Sequence, residues 1–193
     1  DNSENDNNNN LIILEVKRSD KDSANKDGGL VVNGSVYGDS AFIQNAGKGG
    51  ITTNNSSIIA SDVIITNDNG SVNINDGMIY GNDVIISNSN KGNKLNVSAD
   101  IEALNAALIE NAGNGDMTVG GSVQGPLVSL QNQTYDIEAP RYVAESNDLI
   151  ILNLIRKDAP SANKNGGLTV SGNINGGQVY IQNAGAKGIT TSG

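Results

Sequence analysis

The stretch Ile51-Thr-Thr-Asn-Asn-Ser-Ser-Ile-Ile-Ala-Ser-Asp-Val-Ile-Ile-Thr-Asn67 contains the unit from which most of this chain is built. Three short apolar runs begin at Ile51, Ile58 and Val63, and polar, turn-forming residues separate them. Short β-branched runs between clusters of Asn and Ser are typical of strands joined by tight turns. Because the same order of runs returns every 20 to 23 residues, we predict a β-solenoid whose laps stack at about 4.8 Å.

A second, longer period is superimposed on these laps. Leu11-Ile-Ile-Leu14 returns as Leu149-Ile-Ile-Leu152, and from Leu11 onward 25 of the 45 aligned positions are identical without a gap. The shift from Leu11 to Leu149 defines a 138-residue repeat. Tandem duplication of this kind is common in extended scaffolds and rare in catalytic domains. The chain therefore holds one full copy of a long repeat and the start of a second.

The predicted fold class is all-β, a parallel β-helix with laps of about 20–23 residues and one lateral insertion. We divide the chain into a flexible Asn-rich tail or linker (1–10), a lateral strand or arm (11–29), β-solenoid laps (30–132), a lateral insertion that repeats the arm (133–167) and laps of the next repeat (168–193). A single lap is too small to be stable alone, so neighbouring laps must share hydrogen bonds and a continuous aliphatic core.

The two arms share an apolar run that is too long for one face of a solenoid. Two roles are open for it: a strand that pairs with another protomer, or a flap that covers apolar surface within the chain. The candidate packing or interprotomer residues are Leu11, Ile12, Ile13, Leu14, Leu149, Ile150, Ile151 and Leu152.

An asparagine ends the third apolar run of every lap. In stacked laps these side chains would lie in one column, where each amide can bond the copies above and below it. The sequence therefore predicts a structural asparagine ladder made of Asn45, Asn67, Asn88, Asn111, Asn132 and Asn183.

Residues 99–111 fit both helical and lap spacing, and Ser98 could cap a helix there. We expect strands, because Ile101 and Ile109 keep the register of the neighbouring laps.

Composition excludes several classes of function. The chain has no histidine and no cysteine, which removes thiolate chemistry, the common nucleophile–base pairs and nearly all zinc sites. A formal net charge of −9, with 12 basic residues that do not cluster, disfavours nucleic acid and anionic membrane surfaces. No apolar run approaches the length that spans a bilayer. We accordingly predict no catalytic, cofactor-binding or metal-binding residues, no nucleic-acid partner and no membrane insertion.

Two weaker candidates for polysaccharide chemistry remain. Asp62 and Asp83 precede the third run in consecutive laps and should stack, so that they would repel each other or share a cation. Tyr37 and Tyr80, with Ile59 between them, could form an apolar stripe for a sugar. We expect ordinary turn and packing roles for these residues.

The lap form Leu168-Thr-Val-Ser-Gly-Asn-Ile174, followed by Val179-Tyr-Ile-Gln-Asn-Ala-Gly185, resembles the repeats of filamentous-haemagglutinin-like exoproteins. The resemblance covers the regular laps of the chain and does not include the insertion 133–167. It implies a right-handed parallel β-helix shaft, display outside the cell or on the bacterial surface, and adhesion to host-cell or other surface receptors or to like filaments.

Three functions are therefore open. The first is a non-enzymatic structural segment of a bacterial extracellular fibre or adhesin shaft built from 138-residue tandem repeats. The second is a secreted subunit that polymerises end to end through its N-terminal arm. The third is a β-helix that binds or cleaves polysaccharide, which should show a groove of stacked carboxylates with Lys or Arg.

Overall fold

The computed structural model describes residues 11–14, 27–89, 92–132, 144–145, 149–150, 166–183 and 185–192. Within these ranges every regular element is a strand, and none is a helix. The strands are Leu11–Leu14 (β1), Gly29–Asn33 (β2), Val36–Asn45 (β3), Gly50–Asn67 (β4), Gly70–Asn88 (β5), Gly92–Val97 (β6), Asp100–Asn111 (β7), Met117–Val119 (β8), Val123–Asn132 (β9), Ala144–Glu145 (β10), Leu149–Ile150 (β11), Gly167–Val170 (β12), Ile174–Asn183 (β13) and Gly188–Thr191 (β14).

The strands stack as about six laps of a parallel β-solenoid, which confirms the predicted fold class. The first apolar runs pair in the order β2, β4, β5, β6, β8, β12, β14, which we call the first-run column. The third runs pair in the order β1, β3, β4, β5, β7, β9, β13, which we call the third-run column. All of these pairs are parallel, so each lap repeats the direction of the lap before it.

Aliphatic side chains fill the interior of the stack in continuous columns. In the lap formed by β5, the first run contributes Val72 and Ile74, the second Ile79, and the third Val84 and Ile86. All five are 0 or 1% exposed, and the equivalent residues of neighbouring laps stack on them in register. Hydrophobic burial between laps therefore provides the stability that one lap cannot provide alone.

The strands are longer than the three short strands per lap that the sequence suggests. β4 and β5 each pass through the corner between the first and second runs without interruption. At that corner Asn55 and Asp76 have positive φ angles of 46° and 26°, and Gly77 follows with a φ of 108°. Asn, Asp and Gly tolerate the left-handed region, so the chain turns within one or two residues and keeps its interlap hydrogen bonds.

Residues 100–111 form strand β7, as the register of Ile101 and Ile109 predicted. The helical spacing in this stretch is explained by outward-facing apolar residues, since Ala106 and Leu108 are buried on the outer face of the stack. The register shifts between Gly81 and Asp83, opposite β7, so β7 contains one extra residue there.

The two copies of the long repeat join without a break in the stack. β9, the last lap strand of the first copy, pairs with β13 of the second from Val123 opposite Ile174 to Asn132 opposite Asn183. Most of the predicted insertion 133–167 lies outside the described residues, apart from β10, β11, Gly166 and Gly167.

The N-terminal arm differs from the lateral strand that we expected. β1 continues the third-run column, with Leu11 opposite Ala41 and Leu14 opposite Gln44. The reason is that the edge of β3 offers unpaired backbone groups, which a short apolar strand satisfies better than a lateral position. Leu149 and Ile150 instead form β11, which pairs antiparallel with β10. Ile151, Leu152 and the tail 1–10 lie outside the described residues.

Candidate functional site: the asparagine ladders and the edges of the stack

One column of asparagines runs through the whole stack at the end of the third runs. Nδ2 of each side chain donates a hydrogen bond to Oδ1 of the asparagine in the next lap, over 2.9 to 3.1 Å. All five donors are no more than 2% exposed. The members of this inner ladder are Asn45, Asn67, Asn88, Asn111, Asn132 and Asn183.

The inner ladder also closes the turn that follows the third run in five of its six laps. A primary amide has two N–H donors, and the second one bonds a nearby backbone carbonyl. Asn45 Nδ2 donates to the carbonyl of Gly47 over 2.7 Å, and Asn132 Nδ2 donates to that of Gly167 over 3.0 Å. The second of these bonds links the end of the first repeat to the point where the chain rejoins the stack. The ladder thus fixes the lap-to-lap register and, in five laps, the exit of the third run.

The two ends of the inner ladder are not equivalent. At the C-terminal end, Asn183 Oδ1 accepts from Asn132 over 2.9 Å, and its Nδ2 donates to the carbonyls of Gly185 and Gly188. At the other end, Asn45 is fully buried, and no group in the described part of the chain donates to its Oδ1. A buried amide oxygen without a donor costs about 1–3 kcal/mol.

A second asparagine column, which we did not predict, lies on the exposed corner after the first runs. Asn54 Nδ2 donates to Asn33 Oδ1 over 2.9 Å, and Asn75 Nδ2 donates to Asn54 Oδ1 over 3.1 Å. This outer ladder donates in the opposite direction to the inner one. Its signal in the sequence is an Asn at the same offset after three successive first runs, which the general abundance of Asn conceals.

The stacked carboxylates predicted at Asp62 and Asp83 do lie opposite each other on adjacent laps. Burial, and secondarily the charge of Asp83, raises the pKa of Asp62. Two carboxylates alone do not make a metal site, and within the described ranges no group of three or more acidic side chains could hold an ion.

Tyr37, Ile59 and Tyr80 also stack in register, as the apolar stripe required. Tyr37 is 60% exposed, whereas Ile59 and Tyr80 are partly buried. The stripe is one residue wide, which is narrower than the broad aromatic surfaces that usually bind carbohydrate.

Glu110 is a further residue that the sequence did not reveal. It projects from the outer face of β7, next to the buried Leu108, and lies opposite Ser87 and Gln131 in the adjacent laps. Burial raises the pKa of Glu110 to about 7, and its Oε1 accepts no hydrogen bond from any described residue. The outward position of an acidic residue in a strand normally indicates exposure, so only the packing around it could show otherwise.

The edges of the stack are the remaining candidate surfaces. On one edge β1 covers β3 only from Ala41 to Gln44. On the other, the described residues provide no partner for the far side of β13, where Val179 and Tyr180 are 41% and 55% exposed. Open parallel edges are templates for another strand. No described helix is long and apolar enough to cross a membrane.

Comparison of the chain with protein-family models, with curated proteins and with solved structures found no match. The fold and the geometry above are therefore the basis for the function proposed below.

Proposed function

We propose that this chain is a non-enzymatic structural segment of a bacterial extracellular fibre or adhesin shaft, built from 138-residue tandem repeats in the manner of filamentous-haemagglutinin-like exoproteins. The observation that carries the proposal is the junction between the two repeats. β9 and β13 pair over the full length of the third run, although the whole predicted insertion lies between Asn132 and Ile174 in the sequence. Successive repeats can thus form one uninterrupted column.

The dimensions of the stack suit a shaft. From β3 to the equivalent β13, one repeat advances the third-run column by five rungs, or roughly 24 Å at strand spacing. The side chains that hold successive laps together are aliphatic core residues and asparagines, which have structural roles. The net charge of −9 keeps such a fibre soluble and disfavours nucleic acid as a partner. Its partners would be like chains or further repeats end to end and, at the surface, receptors of host cells or other surfaces.

The alternative of a polysaccharide-binding or polysaccharide-cleaving β-helix has less support. Its two features are the Asp62–Asp83 pair and the narrow Tyr37 stripe. An enzyme of this class would need a groove that combines carboxylates with a cation or a basic side chain.

Negative-stain microscopy of the native assembly, combined with the denatured mass of its chain, tests the proposal. We expect rods whose length increases by roughly 24 Å for every repeat that the chain contains. Compact particles whose length does not follow chain mass would contradict the shaft. Release of reducing ends from a polysaccharide by the purified chain would favour the enzymatic alternative instead.

A further inference from the structure

The internal repeat places one strand edge in two different situations. β3 and β13 are equivalent strands, because the shift that brings Leu11 onto Leu149 also brings Asn45 onto Asn183. The edge of β13 that faces the preceding lap is paired with β9 along the whole strand. The same side of β3 is paired by β1 over four residues only, Ala41 to Gln44. The edge of β3 therefore has the form of a repeat junction but holds a shorter strand.

The inner ladder shows the same difference at a single atom. Asn183 Oδ1 receives a hydrogen bond from Asn132 of the preceding lap over 2.9 Å. The equivalent atom, Asn45 Oδ1, is buried without a donor among the described residues, because the pairing of β1 ends opposite Gln44. A strand that ends in asparagine, one residue beyond the reach of β1, would supply the missing donor.

The apolar sequence of β1 is not tied to this edge. In the second repeat the same Leu-Ile-Ile-Leu run starts at Leu149, and β9 holds the edge in its place. Leu149 and Ile150 pair with Ala144 and Glu145 instead. One sequence thus has two different partners, and the difference between the two settings is whether a preceding lap is present at the edge.

We propose that the edge formed by β2 and β3 is the docking surface for a second copy of this chain, whose β13 displaces β1. The incoming strand takes the register that β9 uses on β13, so that Ile174 lies opposite Val36 and Asn183 lies opposite Asn45. Asn183 Nδ2 uses its two N–H groups on the carbonyls of Gly185 and Gly188, and Gly188 begins β14. When β14 leaves its position, the bond to Gly188 is released and that N–H donates to Asn45 Oδ1. This inference rests on the proposed shaft function and specifies how its segments join.

Docking forms more backbone strand pairs than it breaks. Two four-residue strands leave their positions: β1 leaves β3, and β14 of the incoming copy leaves β12. They are replaced by the ten-residue strand β13 against β3 and by β12 against β2. Docking also covers the exposed Val179 and fills the acceptor at Asn45.

Introduced cysteines test the register, since the chain has none of its own. In the proposed contact Gln182 of one copy lies opposite Gln44 of the other, at about 4.8 Å, which a disulfide can bridge. Within one copy the same two residues are five rungs apart, roughly 24 Å, so only chains that have docked can be linked. Under mild oxidation we expect the Gln44→Cys, Gln182→Cys variant to form covalent multiples of 19.9 kDa.

A matched control is the Gln44→Cys, Thr66→Cys variant, whose positions are paired within one chain and should form an intramolecular disulfide. If that control oxidises while the Gln44→Cys, Gln182→Cys variant stays monomeric, the proposal is overturned. Linkage of Leu14→Cys to Gln182→Cys would overturn it too, because the second copy would then stack on β1 without displacing it.

Weakening β1 provides a second measurement. Proline removes a backbone donor and is poorly tolerated in a paired strand, so Ile13→Pro should release β1 from the edge. We expect linkage between Gln44→Cys and Gln182→Cys to become several-fold faster, whereas loss of linkage would show that β1 is required and overturn displacement. If no disulfide forms between copies but microscopy still shows rods that lengthen with chain mass, the docking proposal is wrong and the shaft function stands. If no rods are seen, the shaft function itself is wrong.

Discussion

The buried carboxyl group of Glu110 gives the most direct test of how the outer face of the stack is packed. We predict that Glu110→Gln stabilises the protein at neutral and alkaline pH. Burial disfavours the charged form, and Oε1 has no hydrogen-bond donor among the described residues. Glutamine keeps the shape of the side chain without the charge, and the opposing residue of the next lap, Gln131, already carries the same amide.

The magnitude follows from the difference in proton affinity between the folded and unfolded chain. The pKa of Glu110 is about 7 in the folded protein and 4.5 in its ordinary state, which corresponds to about 3 kcal/mol. Below pH 4.5 the carboxyl group is protonated in both states, and there is no penalty. Between pH 4.5 and about 7 the unfolded chain releases the proton while the folded chain retains it, so stability falls as pH rises. Above about pH 7 the loss is complete and constant.

Urea unfolding of the parent and the variant at pH 4, 6 and 8 measures this profile. The free energy of unfolding of Glu110→Gln should exceed that of the parent by about 3 kcal/mol at pH 8, and the difference should vanish at pH 4. Glu102→Gln, on the same strand but exposed, is the matched control and should change little at any pH. A difference that does not vary with pH, or an equal effect at Glu102, would refute the assignment of the effect to a buried charge.

Three further predictions concern the corners and ladders. Asn88→Ala, in the inner ladder, should lower the free energy of unfolding by about 2–4 kcal/mol because it leaves buried amide groups unpaired. Asn54→Ala, in the exposed outer ladder, should lower it by less than about 1 kcal/mol. Urea unfolding measures both. Gly77→Ala should lower the free energy of unfolding by at least about 2 kcal/mol more than Gly34→Ala, as measured by thermal unfolding. Both residues have a φ near 110°, so the backbone strain is the same in the two variants. A Cβ at Gly77 would meet a backbone carbonyl of the preceding lap, whereas a Cβ at Gly34 would meet nothing. Burial, and secondarily the charge of Asp83, raises the pKa of Asp62, so the ionised carboxyl group lowers stability once the pH rises above its ordinary value of 3.8. Asp62→Asn should therefore flatten the fall of the thermal unfolding midpoint as the pH is raised from 3.8; an unchanged slope would contradict this role of Asp62.

The period of the apolar runs was sufficient to predict the laps, the parallel stacking and the strand at β7. It succeeded because inward positions of a solenoid must stay apolar in every lap, and the third run of each lap carries its asparagine at a fixed offset. Asn67, for example, follows Ile65 at the same distance as Asn88 follows Ile86. The hydrogen bonds along that column could therefore be expected from spacing alone.

Features that depend on what lies against an outward surface could not be predicted in this way. The run that starts at Leu11 is apolar throughout, so it carries no information about which edge it joins. The burial of Glu110 depends on neighbours in other laps, which the local alternation of β7 does not reveal. The outer ladder at Asn54 was missed because Asn is frequent at every corner.

The stacking of laps also determines how a fibre of this kind would fail under load. Tension along the axis acts on successive rungs in series, so the weakest rung sets the strength, however many laps are added. Between the laps of β7 and β9 the first-run pairing is only three residues long, as it is at the join of the two repeats. In addition, the register of the third run breaks there between Glu102 and Ala106, whereas β9 and β13 pair without such a break. That rung lies one lap before the junction of the two repeats. A shaft pulled from both ends should therefore yield once per repeat, at the same internal position, and lengthen in regular steps without parting at the joins.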